Sequence, residues 1–245
     1  MAALSNLDLL RRVPIFSALT PSQISFLANT VQKIHVKRGT FIVKQGQIGD
    51  ALFVILQGQA RVVISDQRGR EVILATLGAG DYVGELSLID GCAHSANVEA
   101  QTETDMLVLG SAEFQVCLKT NITIAQAMIQ CLAHRLRKAD EQIMSLALMD
   151  VYDRVSSVLV NAAEHADNHL VIRNKISRQD IAKMVGATRE TVSRVMRDFE
   201  DQGFVTTRPD GSLILADRRS VHERGTDKSE KSKQDTSSHF SLASL

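Results

Sequence analysis

The first half of the chain alternates short runs of β-branched and other apolar residues with glycine-rich turns. The apolar runs cover residues 40–43, 52–56, 61–65, 72–76 and 106–109. Ten of the fourteen glycines lie between Gly39 and Gly110. Strands of this length and spacing are typical of a small antiparallel barrel or roll. Residues 67–70 predict a hairpin turn, and residues 4–10 and 21–30 predict short helices ahead of the strands.

A heptad repeat follows, from about residue 122 to residue 149, in a stretch without proline or glycine. Its apolar positions advance by alternating steps of three and four residues: Ile129, Leu132, Leu136, Ala139, Ile143 and Leu146. So narrow an apolar stripe is typical of a helix that pairs with a second helix. We expect a symmetric coiled-coil dimer. The alternative is a long helix that packs only against its own domain.

The last part of the chain returns to short elements and then loses its apolar pattern. Residues 151–166 predict another amphipathic helix, and residues 170–172 predict a short strand. Residues 223–238 are rich in Lys, Ser, Asp, Glu and Thr. Such a composition cannot bury a core, so we expect a disordered tail over residues 218–245.

Composition narrows the class of protein. There is no apolar run of about eighteen residues, and residues 1–10 lack the basic and apolar regions of a secretory signal. The three cysteines, Cys92, Cys117 and Cys131, are too widely spaced for a disulfide framework or a metal site. We therefore expect a cytoplasmic protein with reduced thiols and no bound metal. The net charge of the chain is zero, but the segment between Val171 and Arg219 contains ten basic and seven acidic residues. This basic excess is compatible with a phosphate-facing surface.

Residues 176–200 carry the start signals of two helices with a glycine between them. Ser177 with Asp180 three residues later is a start that resembles a capping box. Gly186 permits the tight turn of a helix-turn-helix, and Thr188 caps the second helix. Residues 204–208 and 212–216 then flank a Pro-Asp-Gly turn, which predicts a two-stranded wing.

The second helix places charged residues where a DNA-reading helix needs them. Arg189, Glu190 and Arg194 lie opposite its apolar stripe and near its N-terminus, the part that reaches base edges in the major groove. Arginine donates two hydrogen bonds to guanine, and glutamate accepts one from cytosine. Candidates for phosphate contacts are Arg178, Thr188 and Ser193. The alternative is an ordinary solvated helix in an α-helical domain.

These residues resemble the cyclic-AMP receptor protein / fumarate-nitrate regulator (CRP/FNR) family. The likeness rests on Ser177-Arg-Gln-Asp-Ile-Ala with Gly186-Ala-Thr-Arg-Glu-Thr-Val-Ser-Arg, and on residues 46–58 and 80–86, which are similar to the family's cyclic-nucleotide-binding β-roll. It runs from about Asn6 to Leu215. It implies an α+β chain: a sensor β-roll over residues 1–120, a dimerisation helix over 121–150 and a winged helix-turn-helix over 151–217. It also implies a homodimer, a palindromic DNA site with TGTGA-like half-sites, and contact with RNA polymerase.

The resemblance also implies an effector pocket in the β-roll. Its residues would be Gly84, Glu85, Leu86, His94, Ser95, Arg135 and Asp140. Glu85 matches the residue that accepts a ribose hydroxyl and is a candidate partner for Arg135, while Ser95 matches a phosphate contact. His94 stands where cyclic-AMP binders carry arginine, and Ala139 and Asp140 stand where hydroxyl residues contact adenine. Because arginine always carries its charge and histidine does not, cyclic di-GMP is the leading effector hypothesis over cyclic AMP. Regulation without a small ligand is the alternative.

Other classes of function explain less of the sequence. An enzyme is not expected, because no nucleophile–base pattern is visible among His35, His134, His165 and Cys117. An iron–sulfur cluster would need clustered cysteines near the N-terminus, and none precedes Cys92. A nucleotide-sensing module that regulates a protein partner would explain the roll, but it would leave the charged, capped helix without a role.

Overall fold

The computed structural model describes residues 6–11, 13–17, 19–166, 169–173 and 176–216. The expected disordered tail lies outside these residues. The chain divides into two compact units, Met1–Met144 and Ser145–Leu245, and each has its own hydrophobic core. The boundary falls inside the long helix that the heptad repeat predicts.

Two helices precede the strands. Helix α1 spans Asn6–Arg11, and α2 spans Pro21–Thr30 after a single 3-10 turn at Pro14–Phe16. The start of α2 is a full capping box, because the side chain of Thr20 accepts from the Gln23 N–H while the Gln23 side chain accepts from the Thr20 N–H. Pro21, at the first helical position, has no N–H group, so it leaves no donor unpaired in the first turn of the helix. The predicted start of α2 is therefore confirmed.

Eight strands form the β-roll: β1 Gln32–Val36, β2 Phe41–Val43, β3 Ala51–Gln57, β4 Ala60–Ser65, β5 Glu71–Leu77, β6 Tyr82–Val83, β7 Asn97–Ala100 and β8 Thr104–Gly110. They make two antiparallel sheets of four strands, ordered β1-β8-β3-β6 and β2-β7-β4-β5. Helix α3, Glu85–Asp90, lies between β6 and β7 in the chain. The sequence predicted five of these strands and missed β1, β6 and β7.

Strands β3 and β8 contribute to two cores at once. Ile55 and Met106 belong to the core between the two sheets. Their neighbours Val54 and Leu107 point to the other face, as alternation along a strand requires. There they pack with the N-terminal helices, with α4 (Ser111–Thr120) and with the start of the next helix.

Helix α5 spans Ile122–Leu148, close to the predicted length. One of its faces is buried in the first unit through Ile124 and Met128. Another face leaves large apolar residues exposed, among them Ile129 and Leu136. Among the described residues no single helix is long and apolar enough to cross a membrane; only α4 and α5 together reach that length, across a bend of 105°.

The second unit combines three helices with a four-stranded antiparallel sheet. Its elements are α6 Val151–Ala162, β9 Glu164–Ala166, β10 His169–Ile172, α7 Arg178–Val185, α8 Arg189–Asp201, β11 Val205–Thr207 and β12 Leu213–Leu215. The sheet order is β11-β12-β10-β9. The predicted helix over residues 151–166 is wrong beyond Ala162, because the chain becomes extended at Ala163 and the following residues pair with β10.

An aromatic cluster lies in the core of this unit. The ring of Phe199 on α8 meets the rings of Tyr152 and Phe204 edge to face, with centroids 4.4 and 5.0 Å apart. Such pairs contribute about 0.5–1.5 kcal/mol each beyond the area they bury. They hold α8 against α6 and against the residue that directly precedes β11.

Candidate nucleic-acid interface and effector pocket

The helix-turn-helix is built by two side-chain caps and one left-handed glycine. The Ser177 hydroxyl accepts from the Asp180 N–H at 3.0 Å and starts α7. Helix α7 ends at Gly186, whose φ of +63° is a left-handed conformation that favours glycine. The Thr188 hydroxyl accepts from the Thr191 N–H at 3.2 Å and starts α8. The predicted caps and turn are therefore confirmed.

Helix α8 separates its side chains into a buried and an exposed face. Val192, Val195, Met196 and Phe199 are buried in the core of the unit. Arg189, Glu190 and Arg194 are all exposed, within the first two turns. Two guanidinium groups and one carboxylate are therefore free to meet an outside surface from the N-terminal part of a capped helix. This is the arrangement that reading base edges in the major groove requires.

The three residues predicted to contact phosphates differ in their exposure and in the hydrogen bonds that they already make. Thr188 is exposed but its hydroxyl already caps α8. Arg178 is half-buried and lies 3.5 Å from the Glu200 carboxylate. The Ser193 hydroxyl donates to the carbonyl of Arg189 at 2.8 Å, so a phosphate contact from Ser193 requires that hydroxyl to rotate.

The sheet that carries the wing adds basic residues that were not among the candidate site residues. The β11–β12 turn is tied by Asp210, which accepts from the N–H and the hydroxyl of Ser212; the hydroxyl bond holds the pKa of Asp210 below its ordinary value. A polar cleft of about 370 Å³ beside this turn is lined by His169, Arg173 and Arg208 among others. Arg173 follows β10 and Arg208 follows β11, and both of these strands pair with β12. The two arginines therefore line one cleft through strand pairing that a sequence does not show.

In the first unit, glycine is required where β6 turns into α3. Gly84 has a φ of +93°, and a Cβ at this position would overlap the carbonyl oxygen of Ala51. The turn places Glu85 at the first position of α3, where its carboxylate is buried. A backbone path that only glycine can follow therefore positions a buried acid.

Arg135 on α5 is the partner of this acid. Its Nη1 donates to Glu85 Oε1 at 2.5 Å, and its Nη2 donates to the carbonyl of Tyr82 at 2.7 Å. The guanidinium carbon also lies 4.9 Å from the centre of the Tyr82 ring, a favourable cation–π distance. Burial raises the pKa of Glu85, and the charge of Arg135 opposes that rise. The predicted pairing of Glu85 with Arg135 is confirmed.

Tyr82 is a residue of this site that the sequence did not reveal. Its side chain is buried, and its hydroxyl has no well-aligned hydrogen-bond partner among the described residues. Burial, followed by the neighbouring Cys131 thiol, raises the pKa of Tyr82. A tyrosine in a two-residue strand offers no pattern that would mark it in advance.

The remaining predicted pocket residues do not share one environment. The His94 ring is partly buried, and its Nδ1 lies 2.9 Å from the buried Ser87 hydroxyl. Burial lowers the pKa of His94, and Asp50 opposes that change. Leu86 and Ser95 are exposed, and Asp140 is exposed on α5. A buried carboxylate held by a guanidinium suits a ribose hydroxyl donor, whereas a mostly neutral imidazole is a weaker phosphate ligand than arginine.

Comparison with known proteins matches both units. The cyclic nucleotide-binding domain family matches residues 33–121, and the Crp-like helix-turn-helix domain family matches residues 153–223. The cAMP-activated global transcriptional regulator CRP of Salmonella typhimurium is 33% identical over 169 residues, which cover 67% of this chain and 80% of that protein. A CRP-like cAMP-activated global transcriptional regulator of Mycobacterium tuberculosis is 28% identical over 212 residues, covering 85% and 94%.

Solved structures give the same fold. The c-di-GMP responsive global regulator CLP of Xanthomonas campestris superposes with a TM-score of 0.69 at 20% identity, covering 81% of this chain and 100% of that one. FixK2 of Bradyrhizobium japonicum superposes with a TM-score of 0.67 at 21% identity, covering 79% and 96%. The order of β-roll, long helix and winged helix-turn-helix is the one expected from the sequence. The chain therefore belongs to the CRP/FNR family of transcription regulators, with a cyclic nucleotide-binding domain followed by a Crp-like helix-turn-helix.

Proposed function

We propose that this protein is a dimeric regulator that reads a palindromic DNA site in the cytoplasm and contacts RNA polymerase there. The observation that carries the proposal is the joint exposure of Arg189, Glu190 and Arg194 near the start of a capped helix. We assign these three side chains to base edges in TGTGA-like half-sites. Arg178, Thr188 and Ser193, with Arg208 of the wing, are assigned to phosphates, which set position without reading sequence.

The dimer follows from the apolar face that α5 leaves exposed. Ile129, Leu136 and Ile143 lie seven residues apart and are exposed in the single chain. A second α5 helix in a parallel coiled coil would bury all three. Two recognition helices related by this two-fold axis would meet half-sites about one DNA turn, roughly 34 Å, apart. Palindromic sites are the DNA counterpart of that symmetry.

Fluorescence anisotropy with a labelled palindrome and a scrambled duplex tests the DNA assignment. Wild type is expected to prefer the palindrome, with an affinity that falls steeply as salt rises. Arg194→Ala is expected to lose about 5- to 150-fold on the palindrome, because one bidentate base contact is worth about 1–3 kcal/mol. Its matched control, Arg197→Ala, removes the same charge one turn further along α8 and should weaken both duplexes alike. Equal binding of wild type to both duplexes would refute the proposal.

The effector is assigned to the pocket of Glu85 and Arg135, together with Gly84, Leu86, His94, Ser95 and Asp140. The curated relatives are named for activation by cAMP. The side chains favour a different ligand, because His94 lacks the fixed charge of arginine and Asp140, when ionised, accepts but does not donate hydrogen bonds. We therefore keep cyclic di-GMP as the leading effector.

Calorimetry with cyclic di-GMP and cyclic AMP separates the alternatives. A heat of binding with cyclic di-GMP alone supports cyclic di-GMP as the effector. A heat of binding with cyclic AMP alone identifies cyclic AMP as the effector instead. No heat with either ligand favours the effector-independent regulator. Nucleotide binding without salt-sensitive binding to a palindrome would instead favour a sensing module that acts on a protein partner.

A further inference from the structure

The exposed face of α5 continues the heptad pattern along the whole helix. Its first position in each heptad is held by Ile122, Ile129, Leu136 and Ile143, whose exposed fractions are 72%, 65%, 64% and 64%. In this register the positions that flank the apolar seam, conventionally e and g, are occupied by Gln126, Met128, Ala133, Arg135, Asp140, Gln142 and Ala147. Only two of these residues are charged: Arg135 at a g position and Asp140 at an e position. They have opposite charges.

The spacing of the two charged residues matches the geometry of a parallel coiled coil. There, a g residue of one helix faces the e residue five positions later on the other helix, and such pairs choose partner and register. Asp140 lies five positions after Arg135. In a two-fold symmetric dimer the same pair therefore forms twice.

Arg135 has donors to spare for a second carboxylate. A guanidinium carries five N–H donors, and Glu85 and the Tyr82 carbonyl each receive one hydrogen bond. The Arg135 side chain keeps 34% of its surface exposed, whereas Glu85 keeps only 2%. The guanidinium is thus held by the roll of its own protomer, while the Arg135 side chain remains partly exposed at a position that flanks the seam.

We propose that Asp140 of the partner subunit binds the guanidinium of Arg135. The cluster is then a carboxylate, a guanidinium and a second carboxylate, which join the β-roll of one protomer to the α5 helix of the other. Asp140 then also acts on the effector pocket through Arg135, as a positioning residue. A ligand hydroxyl that hydrogen-bonds to the Glu85 carboxylate changes the contact between Glu85 and Arg135, and with it the contact between Arg135 and the partner's Asp140. The effector pocket and the dimer seam therefore share the side chain of Arg135.

The inference rests on the proposed dimer, and sedimentation equilibrium of the full chain tests both separately. Asp140→Lys places a positive charge opposite the partner's Arg135, and we expect the dimer dissociation constant to rise about 2- to 30-fold, from two pairs per dimer. Glu141→Lys is the matched control. It makes the same charge change one residue later, on the side of α5 away from the seam, and should leave the constant unchanged.

A double-mutant cycle adds a readout that altered folding does not mimic. Because Arg135→Gln alone would leave Glu85 buried without its partner, the cycle uses Glu85→Gln/Arg135→Gln as background. Asp140→Asn is expected to weaken the wild-type dimer and to have no effect in that background. A monomeric wild type would overturn both the dimer and this pair. A stable dimer in which Asp140→Lys and Glu141→Lys behave alike, or in which Asp140→Asn acts equally in both backgrounds, would overturn the pair alone.

Discussion

Removing the guanidinium that faces Glu85 should weaken the first unit more than any change on the exposed side of α5. Breaking a buried ion pair by deleting one partner costs about 3–5 kcal/mol, because a buried charge is left alone. Glu85 is buried but Arg135 is partly exposed, and solvent screening reduces the effect. We therefore expect Arg135→Gln to lower the free energy of unfolding by roughly 2–3 kcal/mol at neutral pH.

The pH dependence of this loss follows from the pKa of Glu85. Burial raises that pKa in the folded state, and Arg135 opposes the rise. The folded state therefore binds the Glu85 proton more tightly than the unfolded state does. The contribution of this group to stability is fully present below the unfolded pKa of about 4.3 and is lost as pH rises through the folded pKa. Without Arg135 the folded pKa moves higher, and the loss should be smaller at pH 5 than at pH 7.5.

Urea unfolding followed by circular dichroism at pH 5 and pH 7.5 measures both effects. Glu85→Gln/Arg135→Gln should recover part of the lost stability, because no buried charge then remains. Arg137→Gln, an exposed position on the same helix, controls for charge and helix propensity and should change stability by less than about 0.5 kcal/mol. If Arg135→Gln and Arg137→Gln gave equal losses, or if the loss were independent of pH, the ion pair would not be the source of stability that the geometry indicates.

Three further substitutions test backbone and surface. Gly84→Ala should destabilise the first unit by roughly 2–4 kcal/mol, because it adds a left-handed strain and an overlap with the Ala51 carbonyl; urea unfolding at or near wild-type stability would contradict this. Gly186→Ala should cost only about 1 kcal/mol in thermal unfolding, since its new methyl group meets Leu146 no closer than 3.4 Å. Leu136→Lys should leave the fold intact, because Leu136 is exposed in the single chain, but should abolish dimers in sedimentation velocity; a dimer that persists would argue for a different seam.

Elements with a strong period or a capped start were predictable from the sequence. The heptad repeat marked α5 almost to its ends, and Ser177, Gly186 and Thr188 marked the helix-turn-helix through local chemistry that needs no tertiary information. The missed strands lack such signals. Strand β6 has two residues, and β1 and β7 mix charged or polar residues with few apolar ones. These segments are strands because they pair with other strands that lie far away in the sequence.

The candidate site divides in the same way. Glu85 and Arg135 were recognised because they stand in motifs that resemble a known family. The contact of Arg135 with Tyr82 and the contact of His94 with Ser87 depend on how α5, β6 and α3 meet in space. Arg173 and Arg208 line the same cleft because β12 pairs with both β10 and β11. Contacts of this kind carry no periodic or local signature.

The sheet formed by β1, β8, β3 and β6 has a consequence for how the first unit unfolds. Val54 and Ile55 are neighbours in one strand, and Met106 and Leu107 are neighbours in the strand beside it, yet each pair has one member in either core. If the core between the two sheets loosens, β3 and β8 no longer offer a fixed surface to the helices. If the helices detach, the faces of β3 and β8 that they cover become exposed to water. We therefore expect the two cores to unfold together in one cooperative step, so that a probe placed in either core reports the unfolding of both.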